Sequence, residues 1–224
     1  MDRPELLVVV VGTGTEVGKT WVASAALRSL RDAGLTVAAR KPAQSFAPDD
    51  PTTDAAELGA ATGEDPATVC LPHRWYEVPL APPMAAEVLG RPAFTITDLL
   101  EELTWPDGIA VGLVESAGGV RSPLAGDEDG DTVTLVAALM PDLVVVVADA
   151  GLGTINSVRL SVAALGPVLD THEGLALVVV LNRFDVDDDL HRRNRAWLRD
   201  RDGLAVVTSV GELTDELVAA LRAR

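Results

Sequence analysis

The stretch GTGTEVGKT, residues 12–20, puts three glycines, a lysine and a terminal hydroxyl into one short run. Gly12, Gly14 and Gly18 permit unusual backbone angles and close approach of a ligand. Successive N–H groups leading into a helix N-terminus favour a polyphosphate. Lys19 then serves the β- and γ-phosphates as a mobile point charge, and Thr20 offers its hydroxyl to Mg²⁺. Thr15, Glu16 and Val17 complete the loop, and Trp21 follows it on the helix. Five residues separate Gly12 from Gly18, against four in the usual pattern.

Lysine is scarce in this chain: Lys19 and Lys41 are the only two among 18 Lys and Arg residues. Lys41 closes the apolar run LTVAAR (35–40), so it emerges at the same sheet edge as Lys19. There it gives a second cation beside the γ-phosphate or beside an anionic co-substrate. A metal ion with two lysines is a phosphoryl-transfer arrangement that asks little covalent chemistry of the protein. Mg²⁺ takes a few oxygen ligands and keeps water on the rest. Glu115 ends the run IAVGLV (109–114), where an acid would lie beside the phosphate loop; an acid that simply marks the strand end has the same spacing. Asp54, in PTTDAAEL, fits either a further metal ligand or the acidic first turn of a helix.

The elements that must position these groups are legible as alternating runs. ELLVVVV (5–11), LTVAAR, IAVGLV, DLVVVVA (142–148), LALVVVL (175–181) and LAVVTS (204–209) read as strands. Most are apolar at consecutive positions, as in a parallel sheet covered on both faces. Val22, Ala26 and Leu30 repeat at helical spacing before Gly34; Ile155, Val158, Val162 and Leu165 do so until Gly166-Pro167, which should end or kink that helix. ELTDELVAALRAR closes the chain as an amphipathic helix. The expectation is one α/β domain over residues 1–224: a doubly wound, mostly parallel sheet with helices on both faces, of the P-loop NTPase type. Residues 42–52, 71–83 and 120–131 break the rhythm and read as functional loops; within them His73, Trp75 and Tyr76 either shape a substrate channel or pack a loop.

A formal net charge of −16 disfavours coating of nucleic acid and requires that an anionic ligand be met locally. The acidic runs DEDGD (127–131) and DVDDD (185–189) read as solvated loop and helix-start charges rather than metal sites. No apolar run reaches the roughly 18–20 residues that cross a bilayer, and the N-terminus does not read as a signal peptide. The single cysteine, Cys70, excludes an internal disulfide framework, fits a reducing cytoplasm and reads as a small buried side chain.

Together, GTGTEVGKT, KPAQS, the Asp54 context TTDA, VESAGGVRSPL and GLGTIN, spread over positions 12–182, resemble the dethiobiotin synthetases, ATP-dependent carboxylases of biotin biosynthesis. The resemblance implies 7,8-diaminononanoate, CO₂ or bicarbonate, and Mg-ATP as reactants. One amine takes up CO₂ as a carbamate, whose oxygen attacks the γ-phosphate to give a carbamic–phosphoric anhydride. The second amine closes the cyclic urea and expels phosphate. It further implies Lys41 and Lys19 as catalytic cations and Thr20, Asp54 and Glu115 as Mg²⁺ ligands. The backbone of Glu115, Ser116, Ala117 and Gly118 would line the pocket, Ser45 and Thr15 would contact substrate, and Asn182 would lie in the base-reading region. GLGTIN offers free amides for a carboxylate. By the resemblance, Gly151, Leu152, Gly153, Thr154 and Asn156 reach the substrate's carboxylate tail from the partner subunit, which implies a homodimer.

Two departures from the family pattern stand out. Ser116 replaces a small glycine in the usual EGAGG, and Arg183 follows Asn182 where an acid is usual, so relaxed choice among nucleoside triphosphates is expected. Rival readings fare worse. NRFD (182–185) lacks the lysine of a guanine-reading N-K-x-D. A ParA/MinD-type ATPase switch carries an extra lysine early in its phosphate loop, absent between Gly12 and Val17. Cobyrinate-type synthases need a glutaminase domain for which 224 residues leave no room.

Overall fold

The structure, a computed structural model, describes residues 3–172 and 174–224. In chain order the elements are β1 (Leu6–Gly12), α1 (Lys19–Asp32), β2 (Val37–Arg40), β3 (Gln44–Ser45), α2 (Asp54–Thr62), α3 (Pro66–Val69), β4 (Trp75–Tyr76), α4 (Pro82–Val88) and α5 (Ile96–Glu101). There follow β5 (Val111–Glu115), α6 (Thr132–Leu139), β6 (Leu143–Asp149), α7 (Thr154–Thr171), β7 (Ala176–Asn182), α8 (Asp189–Asp200), β8 (Ala205–Val207) and α9 (Val210–Arg222). Six strands form a wholly parallel sheet in the order β2-β5-β1-β6-β7-β8. These are the six runs read from the sequence, with ends shifted by one or two residues.

Consecutive valines in β1 serve two cores, because side chains alternate across a strand. Leu7, Val9 and Val11 pack with α5, α6 and α7; Leu6, Val8 and Val10 pack with α1, α2 and α9. The chain direction reverses its build-out at β1, with β5 on one side and β6 on the other. Open parallel sheets bind ligands at such a switch point, beyond the carboxyl ends of the strands.

Register then fixes which residues meet there. Val10 is level with Glu115, and Arg40 with Val114. Lys41, one residue past β2, therefore stands beside Glu115.

The remaining segments differ from expectation in places. α7 runs through Pro167 to Thr171, so the proline does not end it. A helix-interior proline costs about 3 kcal/mol; Leu165 and Val168, both buried on this helix, supply packing that offsets it. Between β2 and β5 lie α2–α5 and a second, two-stranded sheet in which Gln44 pairs with Trp75 and Ser45 with Tyr76. Those strands are too short to carry a period in sequence. Asp131 caps α6 by accepting from Thr134 N, and Asp188 caps α8 by accepting from Leu190 N and His191 N. Both acidic runs thus deliver a helix cap, as the sequence suggested.

Candidate active site

The phosphate loop links β1 to α1, and its glycines have unequal reasons. Gly18, the N-cap of α1, has φ 90°, and a Cβ there would collide with Asn182 Nδ2. At Gly12 a Cβ would fall 2.8 Å from Gly14 O and 2.9 Å from Lys19 Cδ. Gly14 has nothing within 4 Å of its Cβ position, so crowding within the chain does not require it. Its carbonyl accepts from Lys19 Nζ at 3.1 Å, which parks the ammonium at the loop's rim. The loop is pinned from β7: Asn182 Nδ2 donates to Val17 O at 2.9 Å and Arg183 Nη2 to Glu16 O at 2.8 Å. Glu16 and Arg183, at φ 60° and 56°, both hold the left-handed conformation, which non-glycine residues adopt at some cost.

At the carboxyl edge, Lys41 is buried at 3% exposure and Glu115 at 0%. Lys41 Nζ lies 2.6 Å from Glu115 Oε1, 2.7 Å from Asp54 Oδ2 and 3.1 Å from Ser116 O. Thr20 Oγ1 lies 2.8 Å from Asp54 Oδ1 and 2.9 Å from Glu115 Oε1. The sequence reading assigned the lysine to phosphate and the acids to metal; the structure gathers all four side chains into one cluster. A buried ammonium needs counter-charge at close range, and the two carboxylates provide it. Asp54 is also the first residue of α2, whose N-cap is Thr53. The helix-start reading of Asp54 is met, and the same position sets its carboxylate beside Thr20 and Lys41.

Electrostatics in the cluster follow from burial and proximity. Burial, then the Lys41 charge, lowers the Lys19 ammonium from 10.5 to about 8. Burial would also lower Lys41, but the charges and hydrogen bonds of Asp54 and Glu115 overcome it and raise it above the ordinary lysine value. Burial works against ionised Asp54, yet the Lys41 charge and hydrogen bond, with Thr20, hold it below the usual carboxylate range. Burial pushes Glu115 up, against the pull of Lys41.

The donor set suits Mg²⁺. A hydroxyl has one proton and can donate to only one of its two carboxylate neighbours at a time. Glu115 Oε2 is buried with no hydrogen-bond partner among the described residues. Thr20, Asp54 and Glu115 thus converge hard oxygen atoms with acceptor capacity left over, as a small divalent cation demands.

A cavity of about 580 Å³ opens beside this cluster. It is lined by Thr15, Glu16, Gly18, Lys19, Thr20, Lys41, Ser45, Asp54, Ala117 and Gly118, all expected from sequence. Glu115 and Ser116 sit buried behind its wall. Its far side is the apolar segment Pro79–Pro82 with Phe46 and Pro123. The sequence marks all three stretches that build this wall as functional loops, by their break in strand–helix rhythm, without singling out these residues. A second cavity of about 590 Å³ shares Gly18 with the first and is lined by Trp21, Val22, Val180, Asn182, Arg183, Phe184, Thr208, Ser209 and Val210.

Other expected residues lie elsewhere. Gly151, Leu152, Gly153, Thr154 and Asn156 precede or open α7 and line neither cavity of their own chain. Leu152 is 91% exposed. His73, Trp75 and Tyr76 do not line the Lys41 cavity: His73 bonds Glu102, Trp75 Nε1 donates to Cys70 O, and Tyr76 is buried against Phe94. Loop packing is their role here, with Tyr76 holding Ser45 through the β3–β4 pair. Cys70 is buried, and burial pushes its thiol up to about 12, which removes it as a nucleophile.

Known proteins resemble this chain in sequence and in fold. A family model described as an AAA domain matches residues 7–217. The ATP-dependent dethiobiotin synthetase of Rhodococcus jostii is 40% identical over 161 residues, covering 71% of this chain and 67% of that protein. That of Haloferax mediterranei is 36% identical over 201 residues, covering 89% of this chain and 81% of that protein. Among solved structures, a putative plasmid partition protein of Borrelia burgdorferi bound to AMPPNP aligns over 99% of both chains with TM-score 0.58 and 12% identity, a likeness of fold alone. That partition protein shares the scaffold alone, whereas sequence identity of 36–40% to the synthetases places this chain in the family of ATP-dependent dethiobiotin synthetases.

Proposed function

We propose that the whole chain works as one P-loop unit that carboxylates 7,8-diaminononanoate with CO₂ at the expense of ATP and closes the ureido ring of dethiobiotin. The observation that carries this reading is Lys41: a buried ammonium held between Asp54 and Glu115 at the wall of the cavity that Lys19 and Thr20 also line. A cation so placed steadies an anionic carbamate and the phosphoryl group it attacks, charges that develop in one spot. Lys19 and the loop amides hold the β- and γ-phosphates. Thr20, Asp54 and Glu115 would hold Mg²⁺, which when bound neutralises the phosphate oxygens. The carbamate oxygen displaces ADP from the γ-phosphorus; the second amine then attacks the carbamoyl carbon, phosphate leaves, and the ring closes.

Ser45 and Thr15 orient the diamine, whose aliphatic chain suits the Pro79–Pro82 wall. Gly151 N–H is taken by Asp149 Oδ1, but the exposed Leu152 and the Leu152 and Gly153 amides before α7 suit a homodimer in which GLGTIN reaches the carboxylate tail held by the partner subunit. The nucleobase fits the second cavity. Asn182 gives one amide N–H to Val17 O and keeps its other N–H and its Oδ1. Trp21, Val22, Phe184 and Val210 offer a stacking surface that every base can use, so ATP is the default and several nucleoside triphosphates serve alongside it. A reducing cytoplasm suits the free Cys70.

The test is phosphate release from ATP as a function of both the diamino acid and bicarbonate, with dethiobiotin identified as product. Release independent of either reactant removes the reading. Lys41→Arg keeps the charge yet loses most turnover, because a planar guanidinium cannot occupy the point between two carboxylates that an ammonium does.

A further inference from the structure

Gln44 opens β3, three residues beyond Lys41, and is 2% exposed. Its Oε1 accepts from Ala55 N at 3.0 Å, in the first turn of α2. That bond fixes which way the amide faces, because the reversed amide would set two donors against each other. Nε2 is then a donor with no acceptor among the described residues, although Gln44 lines the cavity with Lys41, Ser45 and Asp54. A buried donor left unpaired costs more than an ordinary hydrogen bond returns. A ligand oxygen entering the cavity would remove that cost.

We infer that Gln44 is a further substrate-contacting residue, whose Nε2 donates to an oxyanion of the ligand, namely the carbamate oxygen formed from CO₂ beside Lys41. The inference rests on the function proposed above. Position distinguishes the carbamate from the γ-phosphate. Lys19 and the loop amides come from the β1–α1 side, whereas Gln44 belongs to the β2–β3 side with Lys41 and Ser45. Its neutral donor adds direction without adding charge to a cluster in which one ammonium already faces two carboxylates. Gln44 Oε1 meanwhile ties this donor to α2, the helix that begins with Asp54. Substrate contact and carboxylate position are thereby held by one side chain.

Two substitutions separate the halves of the amide. Gln44→Glu keeps an acceptor for Ala55 N and removes the donor; Gln44→Met removes both. We expect both to raise the apparent KM for bicarbonate roughly ten- to hundredfold, the worth of a hydrogen bond to a charged acceptor. ATP affinity should stay within about twofold in both; both should lower Tm, Gln44→Glu through the buried charge it adds and Gln44→Met through the lost bond to Ala55 N. Wild-type kinetics in Gln44→Glu would overturn the inference. So would a defect that follows ATP affinity, which would give the donor to the phosphate, or loss of the fold in both variants, which would make the residue structural. A wild-type enzyme without bicarbonate-dependent phosphate release would overturn the proposed function and this inference together; an active wild type with unaffected variants would overturn this inference alone.

Discussion

The two cavities that share Gly18 are nearly equal in volume, about 580 and 590 Å³, and unlike in chemistry. The first joins an apolar side, Pro79–Pro82, to a cluster of lysines, carboxylates and hydroxyls whose positions are over-determined. Lys41 alone makes three contacts at 3.1 Å or less, and Thr20 touches both acids. The second is walled mainly by Trp21, Val22, Val180, Phe184 and Val210, its polar positions are Asn182, Arg183, Thr208 and Ser209, and Asn182 gives one N–H to the phosphate loop. Charge in a low-dielectric site acts strongly and must be placed closely, whereas an apolar slot tolerates any flat ring. The first cavity should therefore fail sharply when altered, and the second should weaken by degrees.

The largest break comes at Lys41. Lys41→Met leaves Asp54 and Glu115 facing each other without their counter-ion, so turnover should fall by at least about 10³-fold. Stability should fall by about 3–5 kcal/mol, as for one partner removed from a buried pair. Single-turnover phosphate release and denaturant unfolding measure the two effects. A fully stable Lys41→Met would mean that the acids need no counter-charge and would erase the contrast between the cavities.

Next comes Glu115→Gln, which keeps the side chain's shape and removes its charge. Turnover should drop about a hundredfold, and the Mg²⁺ concentration for half-maximal rate should rise about tenfold, both read from a magnesium titration. An unchanged titration would take Glu115 out of the metal set.

In the second cavity, Trp21→Ala should raise the Kd of ATP, GTP, CTP and UTP alike by roughly tenfold, the value of one base–aromatic stack. Turnover at saturation should persist. A loss confined to one nucleotide would show that this cavity reads hydrogen-bond edges after all.

The smallest effect is in pH. Lys19 is protonated below about 8 in the free protein, and a bound polyphosphate restores its proton above that value. ATP affinity should therefore be constant below pH 8 and decline, by up to tenfold per unit, as pH rises past it. In the same window the unfolded lysine, with its ordinary value of 10.5, holds more protons than the folded one, so stability of the free protein gains from this group between pH 8 and 10.5. A Lys19→Met variant should lose the alkaline decline in affinity.

Much of the first cavity was readable before the fold was known, because its parts are local. Gly18, Lys19 and Thr20 share one turn, and Glu115 and Lys41 each end or follow an apolar run whose direction the neighbouring helices dictate. Asp54 was readable only as one of two things. Its acidic side chain at a helix start looks the same in sequence whether it faces water or Lys41. The Pro79–Pro82 wall and the β3–β4 pair were not readable, since two-residue strands have no period and a proline-rich loop has no preferred partner. Gly166-Pro167 signals an end or a kink; that α7 does not end there depends on the packing of Leu165 and Val168, which a local rule about the lost N–H cannot weigh.

The sequence by itself determined the strand–loop–helix phosphate cradle, the parallel sheet and the scarcity of lysine that singled out positions 19 and 41, because these depend on residue type and near-neighbour spacing. Tertiary structure decided that Lys41 would bond an acid 74 residues away, that Asn182 would hold the phosphate loop rather than stand free, and that half of the Gln44 amide would be left facing no partner. Strand register and helix docking set those distances, and both arise only when distant segments bury their apolar faces against each other.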